Sequence, residues 1–224
     1  MERYHSIFRK SVQWDGENSL EGKKVIIYCE QGYGDIIQFS RYFKNVMKLG
    51  AYVILYCPKP LHRLFQHMEM ADEFLDKDTC EVLPEHDYHI LSMSLPFLVD
   101  EVEPVAYISV PDQTDISAMG DDKPYFNAGI AWEGNPEHSN NCDRSCPLEY
   151  FQQLLCVKNM RLFMLQNTFH NLKLLKNCDD MDLCGANLAD FYDTAALINA
   201  MDVVITVDTA VMHLAGAMGK TAFG

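Results

Sequence analysis

The apolar positions of this chain fall in short β-branched runs, separated by stretches whose apolar residues recur at helical spacing. Lys24-Val25-Ile26-Ile27-Tyr28-Cys29 is one such run, the pattern of a strand covered on both faces. Gly32-Tyr33-Gly34-Asp35 then predicts a turn. Ile36, Ile37, Phe39, Phe43, Val46 and Met47 share a helical face, so a helix is expected over 36–49, stopped by Gly50. Residues 51–57 predict a second strand, and Pro58 and Pro60 open a helix to about Met68. Glu73-Phe74-Leu75, Tyr88-His89-Ile90-Leu91 and Tyr107-Ile108-Ser109-Val110 are further strand-like pieces, whereas residues 1–22 are polar and irregular.

Residues 111–124 are polar with Pro and Gly, the composition of a linker. Beyond them the alternation restarts. A strand is expected over 126–132, a polar loop over 134–146, a helix from Pro147 to about Cys156 and a strand over 161–165. A helix over 193–201, capped by Asp190 or Asp193, leads to a strand over 203–207. Alternating strands and helices predict parallel sheets with helices on both faces. The expected organisation is α/β, with two doubly wound, Rossmann-like domains at 1–115 and 125–224. The last residues, Gly219-Lys220-Thr221-Ala222-Phe223-Gly224, read as a helix C-cap and the start of another strand, so the second domain is expected to be incomplete.

The stretch from Val203 to Ala217 carries the clearest chemistry. Its β-branched run stops at Asp208-Thr209, and small and apolar residues follow at helical spacing, with His213 one turn in. A buried strand that feeds a helix in this way leaves amide N–H groups and the positive end of the helix dipole at the strand's carboxyl edge, where a phosphate fits. The Thr209 hydroxyl and the N–H groups of residues 209–211, Ala210 included, are candidate phosphate donors. His213 reaches the same place from the next turn, or else is a core histidine. Asp208 either orients the turn or accepts from a sugar hydroxyl.

Charge narrows the partners. Residues 1–70 hold ten Lys/Arg and seven Asp/Glu, and residues 71–224 hold eight against 25, within a net charge of −14. Such a surface repels nucleic acid and anionic membrane, while an anionic small ligand remains compatible with a local helix terminus and one or two cations. No apolar run approaches the ~20 residues of a transmembrane span, and the start has no hydrophobic signal core, so a cytoplasmic protein is expected. The eight cysteines are then free thiols. Cys142 and Cys146 have CxxxC spacing without a second His/Cys pair, so no metal is expected.

Several stretches together resemble one family. They are Trp14-Asp15-Gly16, Glu30-Gln31-Gly32-Tyr33-Gly34-Asp35-Ile36-Ile37-Gln38-Phe39-Ser40-Arg41-Tyr42, Trp132-Glu133-Gly134-Asn135-Pro136, Arg144-Ser145-Cys146-Pro147-Leu148, Asp193-Thr194-Ala195-Ala196-Leu197-Ile198 and Val207 to Lys220. They look like the glycosyltransferase module that follows tetratricopeptide repeats in bacterial proteins, a module similar to the ADP-heptose:lipopolysaccharide heptosyltransferases of glycosyltransferase family 9. The resemblance implies a GT-B fold, with the acceptor held by the N-terminal domain and a nucleotide-sugar donor, ADP- or UDP-linked, by the C-terminal one. It implies inverting transfer without a metal or other cofactor, to a glycan, lipid-linked or protein acceptor. A tetratricopeptide-repeat region or partner chain belongs to the same expectation.

The resemblance also suggests roles. Asp35 matches the family's proposed base, a carboxylate that takes the acceptor hydroxyl's proton; as a residue it would equally cap the helix that follows. Gly34 allows close backbone approach, and Gln38 and Arg41 lie one turn apart, either toward an acceptor or at the surface. Arg144 stands where the family has a lysine and would offset charge on a leaving diphosphate; the alternative is a surface ion pair. Asn135 and His138 share its loop, and Gln166 ends a strand where a base or ribose could lie. A non-catalytic nucleotide-sugar-binding or scaffold protein of the same fold is the alternative. A Rossmann oxidoreductase is disfavoured, because position 37 is Ile where a dinucleotide fingerprint has its third glycine.

Overall fold

The computed structural model describes residues 11–100, 102–110, 125–134, 141–166, 181–182 and 188–224. The expected linker at 111–124 and the loop residues Asn135 and His138 lie outside them. The chain forms two compact units, Met1–Pro104 and Val105–Gly224.

The first unit runs β1 (Val12–Gln13), β2 (Lys24–Tyr28), α1 (Tyr33–Phe39), α2 (Phe43–Lys48), β3 (Tyr52–Cys57), α3 (His62–His67), β4 (Glu73–Asp76), β5 (Tyr88–Leu91) and α4 (Leu95–Leu98). Its sheet order is β1-β5-β2-β3-β4, with every pairing parallel. Val25, Ile26 and Ile27 of β2 and Val53, Leu55, Tyr56 and Cys57 of β3 are wholly buried, which is why these runs are apolar without alternation. Edge strand β4 is half-buried.

The second unit runs β6 (Phe126–Ala131), α5 (Asn141–Arg144), α6 (Leu148–Gln152), β7 (Met160–Met164), β8 (Met181–Asp182), α7 (Phe191–Asn199), β9 (Val203–Thr206), α8 (Ala210–Ala217) and β10 (Ala222–Phe223). Its sheet order is β10-β9-β6-β7-β8, again all parallel. Gly129 in β6 has a packing reason: a Cβ there would lie 2.5 Å from Leu165 Cδ1. Asp190 caps α7 by accepting from the N–H groups of Tyr192 and Asp193.

Three expectations need correction. The helix expected from Ile36 starts at Tyr33, so Asp35 is not its cap. Gly32 is the extended residue before the helix, and Asp35, in its first turn, reaches back to accept the Gly32 N–H at 3.2 Å. The same helix is interrupted at Ser40–Tyr42 by a 3₁₀ turn, where the Ser40 hydroxyl donates to Ile37 O at 2.8 Å. Residues 107–110 form no strand: the N–H groups of Tyr107 and Ile108 both go to Ala217 O at the end of α8, with Ile108 and Val110 buried. Strands β1 and β8, each only two residues long, and the one-turn helices α4 and α5 had no sequence signal; α5 lies inside the expected loop at 134–146. Trp14 follows β1 and is buried, its amide donating to His89 O at 3.0 Å and its indole to Asn18 O at 2.8 Å.

Candidate functional site

In a doubly wound sheet, ligands bind beyond the carboxyl ends of the strands, where neighbouring strands are followed in opposite directions. Each unit has one such fork: β2/β5 in the first and β6/β9 in the second.

At the second fork, Thr209 caps α8, its hydroxyl accepting the Val211 N–H at 3.3 Å and lying 3.2 Å from the Thr206 hydroxyl. Ala210 is the first helical residue and His213 is in the first turn. Arg144, the last residue of α5, donates from Nη2 to the carbonyl of Asp208, and this nitrogen lies 3.6 Å from Asp208 Oδ2. His213 Nε2 lies 3.9 Å from Asp208 Oδ1. A guanidinium and an imidazole from different elements therefore converge on one carboxylate at the amino end of a helix. Asp208 is 76% exposed, while Arg144 and His213 are about a third exposed. The Arg144 Nε is buried without a partner.

Beside Arg144 lies a pocket of about 280 Å³ lined by Trp132, Glu133 and the segment from Ser145 to Glu149. Glu133 Oε1 and Trp132 Nε1 are buried there without partners. Glu133 belongs to the Trp132-to-Pro136 motif, which by itself assigns it no role. Its signal was position, two residues past the end of a central strand. Gln166 is buried and its side-chain oxygen accepts from Trp132 N at 2.7 Å and Glu133 N at 3.2 Å, so it ties the end of β7 to the end of β6.

At the first fork, Glu30 also stands two residues past a central strand. Burial raises its pKa, against the pull of Lys77 and a hydrogen bond from the Ser92 amide. Glu30 Oε2 and Ser92 Oγ are buried and unpartnered. Lys77 Nζ donates to Cys29 O at 2.8 Å. Asp35 and Gly34 are half-buried in the first turn of α1, and Gln38 is exposed. Arg41 donates from Nη2 to Glu103 O at 2.9 Å, which ties α1's continuation to the end of its own unit. Among the described residues, no three His, Cys, Asp or Glu side chains group as a metal site, and no helix is long and apolar enough to cross a membrane.

Residues 153–224 match the profile of Glycosyltransferase family 9 (heptosyltransferase), a stretch that contains β9, α8 and the Asp208-to-His213 turn. The chain resembles the family 9 heptosyltransferases. No curated protein matches it. The solved structure of a family 9 glycosyl transferase from Veillonella parvula DSM 2008 has a TM-score of 0.64 and 11% identity, over 93% of this chain and 81% of that one. The ADP-heptose lps heptosyltransferase II of E. coli gives 0.63 and 12%, over 89% and 83%. E. coli heptosyltransferase WaaC, solved with ADP, gives 0.57 and 12%, over 89% and 86%. At such identity these likenesses show the fold, GT-B-like with two Rossmann-like sheets. The profile match over residues 153–224 adds a likeness in sequence to the same family.

Proposed function

We propose that this chain transfers a sugar from a nucleotide-diphosphate donor to an acceptor hydroxyl, with inversion and without a metal. The observation that carries the reading is the convergence of Arg144 and His213 at the capped start of α8. A diphosphate there would take the place of the Asp208 carboxylate as the partner of both side chains, with Thr209 and the first amides of α8 around it. Charge builds on the diphosphate as its bond to the anomeric carbon breaks. Fixed donors that meet that charge lower the barrier. Asp35 supplies the base: as the acceptor oxygen bonds to the anomeric carbon, its proton passes to the carboxylate. Glu133, unpartnered at the neighbouring pocket, suits the hydroxyls of a ribose. ADP-heptose, which names one of the solved relatives, is the first donor to try. The acceptor is a glycan, a lipid-linked saccharide or a protein, and a donor of this class fits a cytoplasmic location.

Thermal shift with ADP-, UDP- and GDP-sugars tests the donor half. Stabilisation by one of them is expected, at about 2.7 kcal/mol when the ligand is at 100 times Kd. No shift with any would refute the reading. Donor turnover that survives EDTA and is lost in Asp35→Asn separates an enzyme from a binding protein of the same fold.

A further inference from the structure

The first sheet carries a thiol pair that sugar transfer does not use. Cys57 ends β3, and Cys29 follows β2 by one residue. Tyr28 pairs with Tyr56, so the two cysteines take the next register position, and the Cys29 N–H donates to Tyr56 O at 3.0 Å. Matched positions of adjacent strands point to the same face about 4.8 Å apart, within the Cα range that a disulfide spans. Both cysteines are free and wholly buried.

His62, the first residue of α3, stands against Cys57, with Nε2 3.0 Å from its carbonyl oxygen. The other charges around the pair are Asp76, Lys77 and Glu30. The hydrogen bond from Cys29, then that from His62, lower Cys57 to about 6, whereas burial holds Cys29 well above the ordinary thiol range. The lowered thiol, Cys57, is the one beside His62, and the raised one, Cys29, is its register neighbour.

We propose that Cys29 and Cys57 are a peroxide-responsive pair that closes to a disulfide across the ends of β2 and β3. The Cys57 thiolate attacks one oxygen of hydrogen peroxide. An S–O bond forms, the O–O bond breaks, and the departing hydroxide takes a proton from His62 to leave as water. Cys57 is oxidised to the sulfenic acid and the peroxide is reduced. The Cys29 sulfur then attacks the Cys57 sulfur. The S–S bond forms, the S–O bond breaks, and the oxygen leaves as water with the Cys29 proton. His62 beside Cys57 is half-exposed and begins a helix of only six residues, so the proposal puts peroxide entry there. The bond would fasten the base of the segment that runs from Glu30 to Asp35.

The test is peptide mapping of the full chain, treated folded with hydrogen peroxide and then alkylated in denaturant. A Cys29-to-Cys57 cross-linked peptide, reversed by a thiol reductant, is expected; Cys156, which is exposed, and Cys80 serve as internal references. Cys29→Ser should leave a Cys57 sulfenic acid that dimedone traps, and Cys57→Ser should abolish the cross-link. The proposal is overturned if Cys29 and Cys57 stay fully alkylatable while Cys156 oxidises. It is equally overturned if the link forms in the same yield in urea-unfolded chain. Because the readout is mass, a failed sugar-transfer reading would leave this result untouched.

Discussion

The two sheets have the same strand order around their forks, yet the two carboxyl edges differ in how their charged groups are engaged. At the β2/β5 edge the polar groups are acceptors: Glu30 takes the Ser92 amide and Asp35 takes the Gly32 amide. Lys77, a cation near these strand ends, donates to the Cys29 carbonyl. At the β6/β9 edge two basic side chains, Arg144 and His213, meet at a single, largely exposed carboxylate. Topology thus fixes where a ligand can sit, and a few side chains fix which charge it carries. A carboxylate-rich edge can draw a proton from a hydroxyl, and a donor-rich helix terminus can hold a diphosphate.

The sharpest way to break this comparison is to disable one edge at a time. Asp35→Asn removes the base and is expected to lower kcat for transfer by about 10²–10⁴-fold, while the donor-induced thermal shift stays as in the wild type. Loss of the shift in this variant would mean that the first edge also holds the donor. Arg144→Ala acts in the opposite way. It removes a charged donor and should weaken nucleotide-diphosphate binding by about 1.5–3 kcal/mol, read by calorimetry. Unchanged affinity would return Arg144 to the status of a surface ion pair.

Acid should separate the two units by stability. His89 in β5 is buried, and burial, with the charge of His86 beside it, lowers its pKa from 6.5 to about 4. Ser11 Oγ lies 2.7 Å from a ring nitrogen of each histidine, which ties the approach to β1 onto the sheet. The folded state therefore holds His89 neutral, while the unfolded chain takes up a proton near pH 6.5. This stability is complete above that pH and is lost as pH falls toward 4. The expected loss is on the order of 1–2 kcal/mol. Hydrogen exchange should show β1 and β5 losing protection across this window, and His89→Gln should flatten the response. Equal loss of protection in β6 and β9 would assign the acid response to something other than His89.

Much of this was legible in the sequence because the central strands of both sheets are buried on both faces. Val25-Ile26-Ile27 and Val203-Val204-Ile205 announce themselves by composition alone. Thr209 and His213 stand out by residue type next to a strand end, a local signal, and Arg144 by standing where the resembling family has a lysine. The missed parts depend on distant pairing. A two-residue strand such as β1 has no pattern of its own and exists only because Val12 and Gln13 pair with Tyr88 and His89. Asp35 carried two local roles, and only the backbone shows that its oxygen reaches back to Gly32 rather than forward as a cap. The Cys29–Cys57 contact joins residues from different strands, and no spacing along the chain encodes it.

The smallest effect is also the most discriminating for the second edge. Asp208 holds a negative charge 3.6 Å from Arg144 and 3.9 Å from His213, where the diphosphate would lie. A bound diphosphate must displace that carboxylate and feel its repulsion, so the carboxylate lowers affinity unless it does something for the sugar. Asp208→Asn keeps the backbone carbonyl that accepts from Arg144 and removes only the charge. Free ADP should then bind about 3- to 5-fold more tightly, the ~0.5–1 kcal/mol of an exposed charge pair. The nucleotide-sugar decides what the carboxylate is for. If it gains as much as ADP, Asp208 acts as a stand-in anion that keeps the two basic side chains in place. If it gains nothing or weakens while ADP gains, the carboxylate accepts from sugar hydroxyls. A loss of affinity for both would mean that the carboxylate's hold on Arg144 and His213 outweighs its repulsion of the diphosphate.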